Sequence, residues 1–126
     1  MRRRFLGGLL LALVTVVTVN VSAQTFTPQS PQGLSVTFTT ERVGGTRVLV
    51  FGEVRNTNTS PAQHVVVMAE GLDQDGRVVS RGRGYVLGIV PSRGTTPFEI
   101  RISSSGSERR YRVQIESFEF VTGGGN

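Results

Sequence analysis

The chain has 126 residues, a formal net charge of +5 and no cysteine. Its length fits one domain, and the lack of cysteine excludes a disulfide framework and a thiol nucleophile. Any nucleophile would have to be a serine or threonine with a base beside it.

The first 23 residues carry the pattern of a secretory signal peptide. Arg2, Arg3 and Arg4 precede an apolar run over residues 5–19, and Val21-Ser22-Ala23 supplies small residues at the cleavage site. We therefore predict export, periplasmic or secreted, with cleavage after Ala23. The alternative, an uncleaved membrane anchor, needs about 20 apolar residues. The arginines also resemble a twin-arginine signal, but the sequence favours the general secretory route.

Processing changes the electrostatics of the chain. Three of the 14 basic residues leave with residues 1–23 and all nine acids remain, so the formal net charge falls from +5 to +2. No nucleic-acid partner is expected, because such proteins show a strong basic patch. A cysteine-free exported domain suits a bacterial envelope.

The predicted elements begin after a proline-containing extended lead-in over residues 24–33. Residues 34–42 alternate apolar and polar side chains, which predicts a strand with Leu34, Val36 and Phe38 on one face. A glycine pair at Gly44-Gly45 predicts a tight reversal. Residues 47–56 then return as a central strand.

The middle of the chain predicts another hairpin. Residues 64–72 are apolar on both parities, and we expect Val66, Met68 and Leu72 to point inward. Residues 73–76 form a turn, and 77–80 return antiparallel. The glycine-rich residues 81–89 predict a strand with a bulge.

The last part of the chain predicts two more strands. Residues 91–94 form a turn, and 96–102 place Phe98, Ile100 and Ile102 on one face. In the final strand the apolar parity changes, which predicts either a bulge near Glu116-Ser117 or a change of covered face. Residues 122–126 are a glycine-rich tail predicted to be disordered. About seven short strands without helical periodicity predict an all-β antiparallel sandwich over residues 34–121.

Several of these segments together resemble the FxLYD-type domains of bacterial and archaeal envelope proteins. The resemblance covers residues 47–102 and rests on turn and strand-end positions: Gly52, Asn56, Asp73, Gly76, Pro91, Gly94 and Phe98. Where the family signature reads Phe-x-Leu-Tyr-Asp, this chain reads Ala69-Glu70-Gly71-Leu72-Asp73. The resemblance implies an immunoglobulin-like sandwich and no enzyme activity, and it supplies no binding residues. Within it, we expect Gly52 to leave room for Phe98 and Asn56 to cap a turn.

Few residues carry chemistry. His64 is the single histidine, and we interpret it as structural rather than catalytic. Asp73 and Asp75 offer oxygen ligands for calcium, but the sequence supplies too few further oxygens, so a turn role is favoured. No enzyme activity, metal or cofactor is predicted.

Two hypotheses remain open at this level. The first is a non-enzymatic envelope module that binds another envelope or secreted protein, for example by adding a strand at a sheet edge. The second is a module that binds an anionic polymer such as lipopolysaccharide through arginines. The arginines concerned are Arg77, Arg81, Arg83, Arg109, Arg110 and Arg112. A membrane partner is expected only through an uncleaved signal sequence.

Overall fold

The structure is a computed structural model and describes residues 33–121. The predicted signal peptide, residues 24–32 of the lead-in and the tail over residues 122–126 lie outside this range. Within it the prediction of seven strands is confirmed, and there is no helix. The strands are β1 (Leu34–Gly44), β2 (Arg47–Asn56), β3 (Ala62–Leu72), β4 (Val78–Tyr85), β5 (Ile89–Val90), β6 (Thr95–Ser103) and β7 (Arg110–Phe120).

The strands form two antiparallel sheets in a β-sandwich-like arrangement. The first sheet has the order β1-β2-β6. In the second, β3 pairs with β4 and β5 along one side and with β7 along the other. Apolar side chains from both sheets form one core, in which the predicted face of β6 is buried: Phe98, Ile100 and Ile102. The predicted face of β1 also points inward, with Leu34 and Val36 buried.

The predicted inward face of β3 is wrong for two of its three residues. Val65, Val67 and Ala69 are buried, whereas Val66 and Met68 are only half-buried on the outer face. The pairing of β3 with β7 shifts register between Gln63 and Val66. A shift of one residue turns every later side chain of the strand to the opposite face of the sheet. Because residues 65–67 are all valine, their sequence does not indicate which face is buried.

Strand β7 carries the bulge that its sequence predicts. Ile115 and Ser117 pair with the consecutive residues Val67 and Val66, so Glu116 is the extra residue. The bulge lets Val113 before it and Phe118 after it both face the core, although their sequence parities differ.

The two sheets meet along two lateral boundaries that differ in construction. At the first, which we call the closed seam, β4 lies against β6. A Cβ on Gly84 would come within 2.7 Å of the Glu99 carbonyl oxygen, and one on Gly82 within 3.0 Å of that of Arg101. Glycine therefore allows the two backbones to touch. Strand β4 has one register shift, at Val79, which lies outside the residues 81–89 where a bulge was predicted. From Ser80 to Tyr85 its pairing with β3 is regular.

At the second boundary, the open seam, β1 lies beside β7. Within residues 33–121, the partly buried hydrophobic side chains that pack against the core come from these two strands: Phe38, Tyr111, Ile115, Phe118 and Phe120. The rings of Phe118 and Phe120 meet edge to face at 5.1 Å. Along this seam the core is covered only in part, and side chains rather than backbone fill the boundary.

The reason predicted for Gly52 is wrong. Gly52 does pair with Phe98 in register, but a Cβ at this position would lie 1.9 Å from the Thr37 carbonyl oxygen and 2.7 Å from the Phe38 Cα. The space is occupied by the backbone of β1, not by the phenyl ring. Glycine at residue 52 thus permits a close approach of two paired strands.

Candidate functional site

Asn56 organises the loops at one end of the molecule. Its side chain is fully buried, and its Nδ2 donates to the Ser60 carbonyl oxygen at 2.8 Å and to that of Val90 at 3.3 Å. Its Oδ1 accepts from the backbone N–H of Asn58 at 2.9 Å. All the polar atoms of this buried amide thus have partners, and the residue has a structural role.

The Asp73 turn is also built by a side chain. Asp73 Oδ1 accepts the backbone N–H groups of Asp75 and Arg77, both at 2.9 Å, and Gly76 closes the turn with φ of +84°. The bond from the Arg77 N–H is the main cause that lowers the pKa of Asp73. Its carboxylate is therefore used by the turn.

The predicted turn over residues 91–94 is closed by a backbone hydrogen bond. The Gly94 N–H donates to the Pro91 carbonyl oxygen at 3.0 Å, while Arg93 adopts φ of +57°. A Cβ on Gly94 would lie 3.1 Å from the Pro91 Cβ, so glycine here allows close packing against Pro91.

The predicted arginine stripe exists in part, but an acid stands at its centre. Arg81 of β4 and Arg112 of β7 both pair in register with Glu70 of β3. Arg81 donates to one Glu70 oxygen at 3.0 and 3.2 Å, and Arg112 to the other at 2.6 and 3.1 Å. The Glu70 side chain is only 6% exposed. Hydrogen bonds from Arg112, then Arg81, hold the pKa of Glu70 below its usual value against the effect of burial.

The remaining arginines of the stripe are not brought together. Arg83 binds Glu116 through both oxygens, with the second bond at 2.9 Å, and this pairing lowers the pKa of Glu116. Arg77 lies 4.0 Å from Asp75. Arg109 and Arg110 are exposed, and within residues 33–121 neither has an ion-pair partner. Three acids thus offset half of the charge of the six arginines, and the paired guanidinium groups have less capacity for phosphate.

A partly buried carboxylate, that of Glu108, was not predicted from the sequence. Glu108, in the loop between β6 and β7, accepts from the Ser104 hydroxyl at 2.7 Å and from the backbone N–H of Ser105 at 2.9 Å. Partial burial would raise its pKa, but the hydrogen-bond donors around the carboxylate outweigh burial and lower the pKa to about 2. A Cβ on Gly71 would lie 2.5 Å from the Glu108 Cγ, so the absent side chain at Gly71 makes room for this acid.

His64 lies on the surface at the register shift of β3. Its φ is +53°, and its Nδ1 is 3.2 Å from Glu119 Oε1, with the His64 side chain 71% exposed. Residues 33–121 contain no cluster of three or more histidines and acids placed to hold a metal ion. No hydrogen bond between His64 and a serine or threonine hydroxyl is found in this range.

One apolar surface was also missed by sequence reasoning. Tyr85 and Leu87 are 67% and 86% exposed, and they border an open groove of about 630 Å³ between β4 and β6, whose other side includes Pro97 and Phe98. The only sequence signal was that residues 81–89 fit a regular strand poorly.

In comparisons with known proteins, no family model, curated protein or solved structure matches this chain. Over residues 33–121, no helix has the length and apolar character needed to cross a membrane.

Proposed function

We propose that this chain is a non-enzymatic, exported envelope module with an immunoglobulin-like sandwich, and that it binds another protein by strand addition at the open seam. The observation that carries the proposal is the construction of that seam. β7 is an 11-residue strand paired on one side with β3, and β1 is paired only with β2. No other strand within residues 33–121 pairs with either.

Such an edge offers both parts of strand recognition. The unpaired backbone of an edge strand can donate and accept hydrogen bonds, and alternate side chains of the added strand can enter apolar sites. Phe38, Phe118 and Phe120 supply partly buried apolar surface at the same boundary. The closed seam is less suited to this, because the glycines of β4 already cover β6 carbonyl groups.

The resemblance to FxLYD-type domains supports this proposal without deciding it. The chain departs from the family pattern at Gly71, where the signature has leucine, and Glu108 fills the space next to this glycine. The acid and its serine donors thus replace an apolar side chain as packing.

Export with cleavage after Ala23 is tested by the mass of the protein recovered from the periplasm of a bacterial host.

The binding test uses photo-crosslinking in the envelope of the native host. A photoreactive residue at exposed Gln114, in the middle of β7, should crosslink to one discrete protein. The same residue at exposed Gln74, in the β3–β4 turn, is the control. Binding should also slow amide exchange in β7 or β1. Crosslinking that is equal at both positions, or absent at both, would contradict strand addition at the open seam.

Arg109 and Arg110 keep the anionic-polymer hypothesis as a second candidate, since they are exposed without an acid partner within residues 33–121. Binding to lipopolysaccharide should then fall steeply between 50 and about 200 mM salt. The double variant Arg109→Gln/Arg110→Gln should abolish it. Binding that is insensitive to salt, or unchanged in the variant, excludes this candidate.

A further inference from the structure

The loop between β4 and β5 is held at both ends and presents an apolar side chain. Val86 and Val90 are buried on either side of it, and the Val86 N–H donates to the Val65 carbonyl oxygen at 3.0 Å. Thr96 Oγ1 donates to the Ile89 carbonyl oxygen at 3.1 Å. Between these anchors, Leu87 remains 86% exposed. Leu87 is therefore held in an exposed position, because the chain is anchored both before and after it.

A groove that could receive such a side chain lies directly beside it. The groove has a volume of about 630 Å³, and Tyr85, Pro97 and Phe98 are among its lining residues. An exposed leucine and an apolar groove next to it form a protrusion and a recess on one surface, which we call the Leu87 surface. Exposed apolar patches of this kind mark interaction sites.

The charges along the groove are arranged so that the surface complements itself. Arg83 lines it from β4, and Glu99 lines it from β6. A two-fold axis through the groove exchanges its two walls, because in an isologous contact residue i meets j and j meets i. Each Arg83 would then face Glu99 of the second copy, while each Leu87 would enter the other groove.

We propose that the Leu87 surface is the two-fold interface of a homodimer. The occupant of the groove is a second copy of this chain, since the protrusion, the recess and the two opposite charges all belong to one surface. Arg83 and Glu99 already have partners within the chain, Glu116 and Arg101, and dimerisation extends these pairs into a network across the axis. The inference goes beyond the proposed function and uses the other seam, so its failure would leave strand addition at β7 untouched.

The first test measures the mass of the processed chain by sedimentation over a wide concentration range. The wild type should shift from monomer to dimer, and Leu87→Asp should stay monomeric. Val43→Asp is the matched control, because Val43 is also an exposed apolar residue, 52% exposed, at the end of β1 next to the hairpin turn. Thermal unfolding of both variants checks that they remain folded.

The second test reverses one charge at a time. In Arg83→Glu every contact across the axis joins two acids, and in Glu99→Arg every contact joins two arginines. Each variant alone should dimerise at least tenfold more weakly than the wild type. Mixed in equal amounts, they should form a heterodimer, because both contacts then join opposite charges.

A misfolded or locally altered variant would not regain association on mixing, so recovery distinguishes the interface from a loss of structure. The proposal is overturned if the wild type is monomeric throughout, if Leu87→Asp dimerises like the wild type, or if mixing restores nothing. A monomer in which amide exchange at residues 85–89 is slow, and becomes fast once residues 24–32 are deleted, would assign the groove to the chain's own lead-in instead.

Discussion

The two seams of this fold both close the boundary between the two sheets, but one does so with backbone and the other with side chains. At the closed seam Gly82 and Gly84 bring backbone against backbone. At the open seam partly buried aromatic side chains of β1 and β7 cover the core. Backbone contact leaves no room for another strand, whereas side-chain cover leaves strand edges accessible. The contrast teaches that one sandwich can join its two sheets through backbone contact at one boundary and through side-chain contact at the other.

Adding side-chain volume at the closed seam should cause a large loss of stability. Gly84→Val places methyl groups where a Cβ alone would lie 2.6 Å from Ile100 Cγ1. Because overpacking forces backbone movement, we expect a loss of about 3 kcal/mol in the free energy of unfolding, measured by urea denaturation. Gly45→Ala is the control, since nothing lies within 4 Å of that position. Equal stability of the two variants would show that β4 does not rest on β6.

Removing one ring from each seam should give unequal losses. Phe98→Ala removes a side chain that is 5% exposed, and the expected cost is about 4 kcal/mol, as for buried phenylalanines. Phe118 is only partly buried, so Phe118→Ala should cost about 2 kcal/mol. Urea denaturation measures both. A larger loss for Phe118 would mean that the open seam carries more of the core than its exposure indicates.

Protonation of Glu108, in the loop between β6 and β7, should lower the stability of the fold in acid. Glu108 has a pKa of about 2 against an ordinary 4.5, so it stabilises the fold above about pH 4.5. That contribution should be lost as pH falls from 4.5 towards 2. After allowance for partial exposure we expect about 1–2 kcal/mol, seen as a fall in Tm.

The control for this acid effect is Glu108→Gln, whose stability should change less over the same pH range. Equal slopes in the wild type and the variant would assign the acid sensitivity to other carboxylates.

The smallest effect concerns the ion pairs that link the two seams across the second sheet. Glu70 joins Arg81 of β4 to Arg112 of β7. Glu70→Gln removes the charge but keeps the size, and both arginines are about half exposed to solvent. We therefore expect a loss of about 1 kcal/mol.

Arg101→Gln, which removes an exposed pair with Glu99, should be near neutral by comparison. If Glu70→Gln cost no more stability than Arg101→Gln, the ion pairs of Glu70 with Arg81 and Arg112 would be energetically unimportant.

Sequence periodicity predicted those strands whose two faces differ in polarity. In β6 the alternation of Phe98, Ile100 and Ile102 with charged residues matches the burial of the strand. In β7 the change of parity between Val113 and Phe118 located the bulge, because apolar side chains on opposite parities can share a face only if a residue is inserted.

Periodicity did not predict the buried face of β3 or the role of the glycines in β4. The valines at 65, 66 and 67 present equal hydrophobicity on both faces, so the register shift at His64 left no mark. In β4 the glycines indicated irregularity, although their cause is contact with the other sheet. Glu70 was missed because its arginine partners are distant in sequence. Glu108 was missed because its donors are hydroxyl and backbone groups of a loop, for which periodicity carries no signal.

The loop over residues 57–61 has a consequence for how the domain can be rewired. The Thr57 N–H donates to the Gly33 carbonyl oxygen at 3.0 Å, and the Val121 N–H donates to the Pro61 carbonyl oxygen at 2.8 Å. The beginning of β1 and the end of β7 are thus fastened to one short loop. A circular permutant that joins these ends through a short linker and opens the chain at Gly45 would keep every strand pairing. In such a molecule, proteins fused to the new termini would be attached at the end of the domain opposite the original termini of the sandwich.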